Sequence, residues 1–407
     1  LDEELARDDR IRELERKVDV LTDELERTRS EIVVPELPEL KSQYGMGPAA
    51  SKIYDVVRGL SIGGYGEGYY RALVDDKGSG SNEADWLRMV LYAGYKFTEN
   101  IVFNSEIEWE HAGEEVSVEF AALDFLWRDE ANFRAGILLV PMGFLNEVHE
   151  PPFFFGVNRP EPEQRIIPST WRENGVGVFG TLLGEQVQYK AYVVNGLNAA
   201  GFSQEGLRGG RQKGSEALAE HLAFVGKLDF TPTPGLLFGG SVYLGNSGQN
   251  QNIAGNKIPD TFTAIWELHS EYKANNLSLR ALFTMAHLQD AGALSTSLQA
   301  IDPMAFGGPV ANTMMGAYGE VAYDVWKCLF PESDVAVEPF FRFEFLDTQF
   351  DTPGAFARDK TQEQFIYTTG LSYKPIPNVV IKADYRNKDP QAGSAADEVN
   401  LGVGFAF

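Results

Sequence analysis

Asp397-Glu398-Val399-Asn400-Leu401-Gly402-Val403-Gly404-Phe405-Ala406-Phe407 closes the chain. In an extended strand Val399, Leu401, Val403, Phe405 and Phe407 share one face. Asn400, Gly402, Gly404 and Ala406 share the other. A soluble sheet would turn the large residues to a core and polar partners to water. Here the second face is small and the last residue is aromatic. That pattern suits a barrel strand with grease toward lipid and small or polar groups toward a wet lumen. Such a strand must also pair with the first one, because an open edge in lipid leaves backbone groups unsatisfied. The alternative is the last strand of a soluble β-sandwich.

The composition narrows the choice. The 407 residues carry 59 acidic and 35 basic side chains, a net charge of -24. A nucleic-acid partner needs a basic footprint and is not expected. Cys328 is the single cysteine, so no internal disulfide can form. No run of about 18 apolar residues occurs, which excludes a transmembrane helix. The mean hydropathy of -0.23 does not exclude a barrel, since only alternate barrel residues meet lipid.

At the amino end, Ile11, Leu14, Val18, Leu21, Leu25, Thr28 and Ile32 keep an unbroken three-four spacing among charged residues. This heptad seam predicts a coiled coil over residues 1–32, with Leu14, Val18, Leu21 and Leu25 at the oligomer interface. A helix docked on its own chain is the alternative. Pro35, Pro38, Gly45, Gly47 and Pro48 then mark a linker over 33–59. After it the pattern turns to strands. Gly64, Gly66 and Gly68 fall on one face of the first strand. A glycine row marks close approach by another backbone, and a neighbouring subunit is expected against Gly64 and Gly66.

Counted from Leu60, 16 strands follow. Short connections such as Gly184-Glu185 alternate with long ones such as 198–219 and 289–313. Short periplasmic turns opposite long external loops are a barrel signature. In the strand 116–128 the alternation is muddled, with Asp124 on the nominal outer face, and a β-bulge would repair it. The fold class is therefore an all-β transmembrane barrel of 16 antiparallel strands over 60–407, preceded by an N-terminal α-helical coiled coil. With that even count the coil lies in the periplasm.

The inward faces carry both signs of charge. Arg134, Arg280, Arg342, Lys382, Arg386, Glu106 and Glu108 are expected to line the lumen. Unpaired charges cannot form a dry core, since burial would cost several kcal/mol each. A barrel of about 16 strands is wide enough for an aqueous channel.

At this point the layout resembles the phosphate-selective porin O and P family. The features are the heptad helix, the stretch Leu60-Ser61-Ile62-Gly63-Gly64-Tyr65-Gly66-Glu67, the long third loop and the ending Phe405-Ala406-Phe407. The resemblance implies a homotrimeric outer-membrane porin. Members of that family carry lumenal arginines and constriction lysines that select anions. Here Glu106, Glu108, Glu110 and Glu119 stand among the inward arginines, and no residue-by-residue match carries over.

The third loop, 142–175, is the expected constriction. Phe153, Phe154 and Phe155 would pack it on the inner wall. Arg159, Arg165 and Arg172, with Glu147, Glu150 and Glu161, would set the field there. A loop lying outside against a trimer neighbour is the alternative. The five histidines, His111, His149, His221, His269 and His287, show no metal-ligand spacing and read as solvated or girdle residues. No catalytic motif is found, so neither an enzyme nor a cofactor or metal is expected. The expected partners are outer-membrane lipid and lipopolysaccharide, sister subunits, and small solutes or ions. The competing function is a structural tether, in which the periplasmic coil reaches peptidoglycan.

Overall fold

The computed structural model describes residues 41–74 and 80–407, and within the amino-terminal segment Arg10, Glu13, Leu14 and 16–22. The chain divides into two units, Leu1–Leu40 and Lys41–Phe407. In the first unit the described residues are helical, with Leu14, Val18 and Leu21 exposed. Leu25 and the rest of the heptad seam lie outside the described residues.

The second unit is a closed barrel. Its strands are β1 (Gly59–Leu73), β2 (Glu83–Thr98), β3 (Ile101–Glu110), β4 (Glu115–Arg128), β5 (Ala131–Leu139), β6 (Arg172–Leu182), β7 (Val187–Asn195) and β8 (Leu222–Thr233). They continue as β9 (Leu236–Asn246), β10 (Phe262–Ala274), β11 (Leu277–Leu288), β12 (Thr313–Tyr323), β13 (Ala336–Asp351), β14 (Glu363–Ile376), β15 (Val379–Pro390) and β16 (Glu398–Ala406). Each pairs antiparallel with its sequence neighbours. β1 closes on β16 from Tyr65↔Ala406 to Leu73↔Glu398. The 16 antiparallel strands are those the alternation calls for.

Outward rows are apolar and exposed, such as Trp266 and Leu268 on β10 and Leu401 and Val403 on β16. Trp127 and Leu183 stand exposed at the short-turn rim, the place of an interfacial girdle. The bulge falls in β4. Glu106 pairs with Phe120 while Ile107 pairs with Val118, so Glu119 is the extra residue. Asp124 is thereby turned inward and buried.

Two expectations change. The glycine row is covered by the chain's own rings, not left open for another subunit. A Cβ on Gly64 would lie 2.9 Å from Phe407 Cζ, and one on Gly66 2.8 Å from Phe405 Cζ. Phe405 and Phe407 come from β16, so the rings roof the seam where the sheet closes. The described part of the segment read as a linker, from Lys41 onward, also packs inside the short-turn end. Met46, Ala49, Ala50, Ile53 and Tyr54 are buried there. Tyr54 hydroxyl donates to Asp124 Oδ2 at 2.6 Å, and Asn104 Nδ2 donates to Ala50 O at 3.0 Å. Proline and glycine were read as spacer residues, but the apolar side chains between them fill lumen volume.

Gly66→Leu should drive Phe405 off its seat, an overpacking cost of about 1–3 kcal/mol. The expected result is a smaller folded fraction in heat-modifiability gels. Gly354→Ala, where a Cβ meets nothing within 4 Å, should leave that fraction unchanged.

Candidate functional site

The loop between β5 and β6, residues 140–171, enters the lumen and crosses it. Arg172 and Glu173 belong to β6 and not to the loop. At its start the Arg280 guanidinium of β11 sits 4.8 Å over the Phe144 ring. Lys227 Nζ of β8 donates to Gly143 O at 2.8 Å and to Glu147 Oε2 at 3.0 Å. Lys190 of β7 also holds Glu147. Glu150 reaches the 41–58 segment and accepts from Ala49 N at 3.0 Å.

The loop then meets the opposite wall. Pro151 and Val157 lie against Gly404 and Gly402 of β16, where larger residues would collide. Lys382 Nζ of β15 donates to Gly156 O at 2.9 Å and sits 3.6 Å over the Phe154 ring. Phe155 stacks on Phe340 of β13. Arg342 of β13 donates to Phe155 O at 3.1 Å and Asn158 O at 2.8 Å. Val157 N donates to Asp384 Oδ2 at 2.7 Å. Further on, Arg386 Nη2 donates to Glu161 Oε1 at 2.8 Å. Tyr318 hydroxyl of β12 donates to Glu163 Oε1 at 2.6 Å. A charged group donating to carbonyls in a dry setting makes a strong tether.

This geometry changes the reading of the inward charges. Glu106, Glu108, Arg134, Arg342, Lys382 and Arg386 are buried rather than solvated. Their partners are the loop, the 41–58 segment and one another. Arg134 pairs with Asp124 at 2.6 Å and donates to Tyr54 hydroxyl at 3.1 Å. Arg88 of β2 pairs with Glu108 at 3.0 Å. Arg280 pairs with Glu271 at 2.6 Å. Charges of both signs do tolerate a crowded interior once they are paired. His149 and His269 are likewise buried, with carboxylate neighbours, rather than solvated. Beneath the long loops lies an apolar cluster that includes Met142, Ile166, Ile167, Trp171, Leu197 and Leu207. This part of the lumen is dry.

The loop residues expected at the constriction therefore separate. Glu147, Glu150 and Arg172 are buried anchors, and Arg172 pairs with Glu119 at 2.7 Å. Arg159 is buried as well. Glu161 and Arg165 face a cavity of about 630 Å³ at the long-loop mouth, lined also by Glu205, Arg208, Arg211 and Lys213. Arg208, Arg211 and Lys213 come from the loop between β7 and β8, 196–221. They escaped the sequence reading. The run Leu207-Arg208-Gly209-Gly210-Arg211-Gln212-Lys213, basic and without an acid in an acidic chain, was the signal.

Four cations, Arg165, Arg208, Arg211 and Lys213, meet two carboxylates, Glu161 and Glu205, so the lining is net positive by two. Glu161 is already paired with Arg386. Partial desolvation at the mouth, followed by repulsion from Arg159 and Arg88, pushes the exposed Arg208 guanidinium below its ordinary range. Burial, followed by repulsion from Arg208 and Arg172, does the same to Arg211. An anion entering this mouth relieves both repulsions.

No family model matches the chain. In fold it is similar to OmpTdeltaL8, a loop-deletion mutant of an outer membrane protein of Vibrio cholerae. The TM-score is 0.56 at 11% identity, over 86% of this chain and 100% of that one. It is also similar to the outer membrane channel DcaP of Acinetobacter baumannii. There the TM-score is 0.53 at 11% identity, over 86% of this chain and 97% of that one. In sequence it is 39% identical over 376 residues to a protein of Aquifex aeolicus (strain VF5) described as uncharacterized. The match spans 89% of this chain and 82% of that protein. The chain thus has the porin barrel fold and belongs to one family with the Aquifex aeolicus protein.

Proposed function

We propose that the protein is an outer-membrane porin that passes small hydrophilic anions by passive diffusion, with no chemical step. The observation that carries this is the basic mouth above the infolded loop, in a chain of net charge -24. Whole-chain charge does not set ion choice; the few groups at the narrowest part do. The mouth, the infolded third loop and the 16-strand barrel support a kinship in layout with the phosphate-selective porin O and P family. The exposed Leu14, Val18 and Leu21 support a homotrimer joined in part by a periplasmic coil. Lipid and lipopolysaccharide surround the barrel in this reading. The tether has less support, since nothing in the described residues points to a peptidoglycan site.

In planar bilayers under a salt gradient the wild-type reversal potential should show anion preference. Arg208→Glu with Arg211→Glu should move it toward cations. A cation-selective wild type overturns the proposal.

Arg342 is the main clamp on the loop. Arg342→Ala removes both carbonyl tethers and leaves Glu344, 3.0 Å away, without its partner. Breaking a buried pair costs about 3–5 kcal/mol. A lower urea midpoint is expected, together with noisier single-channel current as the loop comes loose.

A further inference from the structure

The bulge in β4 does more than restore alternation. It turns Glu119 toward Glu106 of β3 and toward His149 of the infolded loop. His149 Nε2 lies 3.4 Å from Glu106 Oε1 and 3.5 Å from Glu119 Oε2. One donor atom from each residue lies within 4.8 Å of the other two. Glu106 and Glu119 are 0% exposed and His149 2%.

The hydrogen bonds leave a gap at this point. His149 Nδ1 is 3.3 Å from Asn146 O, which can only accept, a contact that suits the tautomer with its proton on Nδ1. Nε2 then presents a lone pair to two carboxylates. Glu106 Oε2 and Glu119 Oε2 have no hydrogen-bond partner. Two of the nearby cations are already paired, one of them with Glu119 itself, and Arg159 Nη2 is buried without a hydrogen-bond partner. Arg88 pairs with Glu67 at 2.9 Å and Glu108 at 3.0 Å, and Arg172 takes Glu119 Oε1. Arg159 makes no ion pair with any of the three among the described residues. Converging buried carboxylates repel one another, and the orphaned oxygens of Glu106 and Glu119 point to an ion or solvent among them.

We propose that Glu106, Glu119 and His149 bind one divalent transition-metal ion of the zinc class, which ties the infolded loop to the barrel wall. One imidazole and two carboxylates make a three-ligand set of the kind zinc accepts, with a fourth position for water. Ligand bonds of about 2.0–2.2 Å set ligand atoms about 3.3–3.6 Å apart in a tetrahedron, close to the Nε2 distances here. Calcium and magnesium want more oxygens and no imidazole. The site lies between the Glu147 and Glu150 anchors of the same loop, so a bound ion would hold the crossing segment within its first third.

The full-length protein, folded in detergent, is stripped with EDTA and dialysed against Zn²⁺, and metal content is measured by mass spectrometry. Wild type should keep one Zn²⁺ per chain and melt at a higher temperature than the stripped form. Glu119→Gln and His149→Ala, checked as folded by heat-modifiability, should each retain at least about tenfold less and lose the thermal shift. Three results overturn the assignment. They are wild type without bound zinc, variants that hold as much as wild type, and Ca²⁺ retained as well as Zn²⁺.

Discussion

Backbone pairing across the seam between β1 and β16 is the constraint from which the rest follows. In hydrocarbon no water can satisfy a free amide or carbonyl, so the sheet must return on itself. The register Tyr65↔Ala406 to Leu73↔Glu398 does this. Close strand approach at the seam is eased by Gly64, Gly66 and Gly68, and Phe405, Phe407 and Trp86 cover the bare backbone they leave. Once the wall is closed, everything else the chain carries must lie inside it or beyond its rims.

The interior is managed by pairing rather than by hydration. A cross-section of this size could hold water throughout. Instead the third loop crosses it and the 41–58 segment fills the short-turn end. Most inward charges meet an opposite charge or a loop carbonyl. Arg342, Lys382 and Arg386 together fix the loop to one wall, while Lys190 and Lys227 fix Glu147 to the other. In the cavity at the long-loop mouth, cations outnumber carboxylates. A chain with a large acidic excess can in this way keep a positive entrance.

The barrel was legible in the sequence because its rule is local. Period-two alternation needs only neighbours, and turn length needs only the gaps between strands. Even the misfit of Asp124 was readable as a bulge. The site was less legible because its contacts join distant segments. Nothing in the spacing of His149, Glu106 and Glu119 shows that they meet. The proline and glycine content of 33–59 concealed Ile53 and Tyr54 as packing residues. Inward charges were read as wet because alternation tells which face a residue takes, not what fills the space in front of it. The basic run at 207–213 could have been found by charge pattern alone, had the inner loops been weighed beyond the third.

The extra residue in β4 also fixes the parity of that strand. Before it the even positions Val116 and Val118 look outward; after it the odd positions Leu123 and Phe125 do. The same sequence paired as a regular strand, without the bulge, would keep one half in phase and invert the other, setting Asp124 into lipid and Leu123 into the lumen. Loss of Glu119 itself would instead leave regular alternation, with Asp124 still inward and one inward carboxylate fewer. The bulge is thus what lets both halves of β4 show grease to lipid while an added carboxylate faces inward.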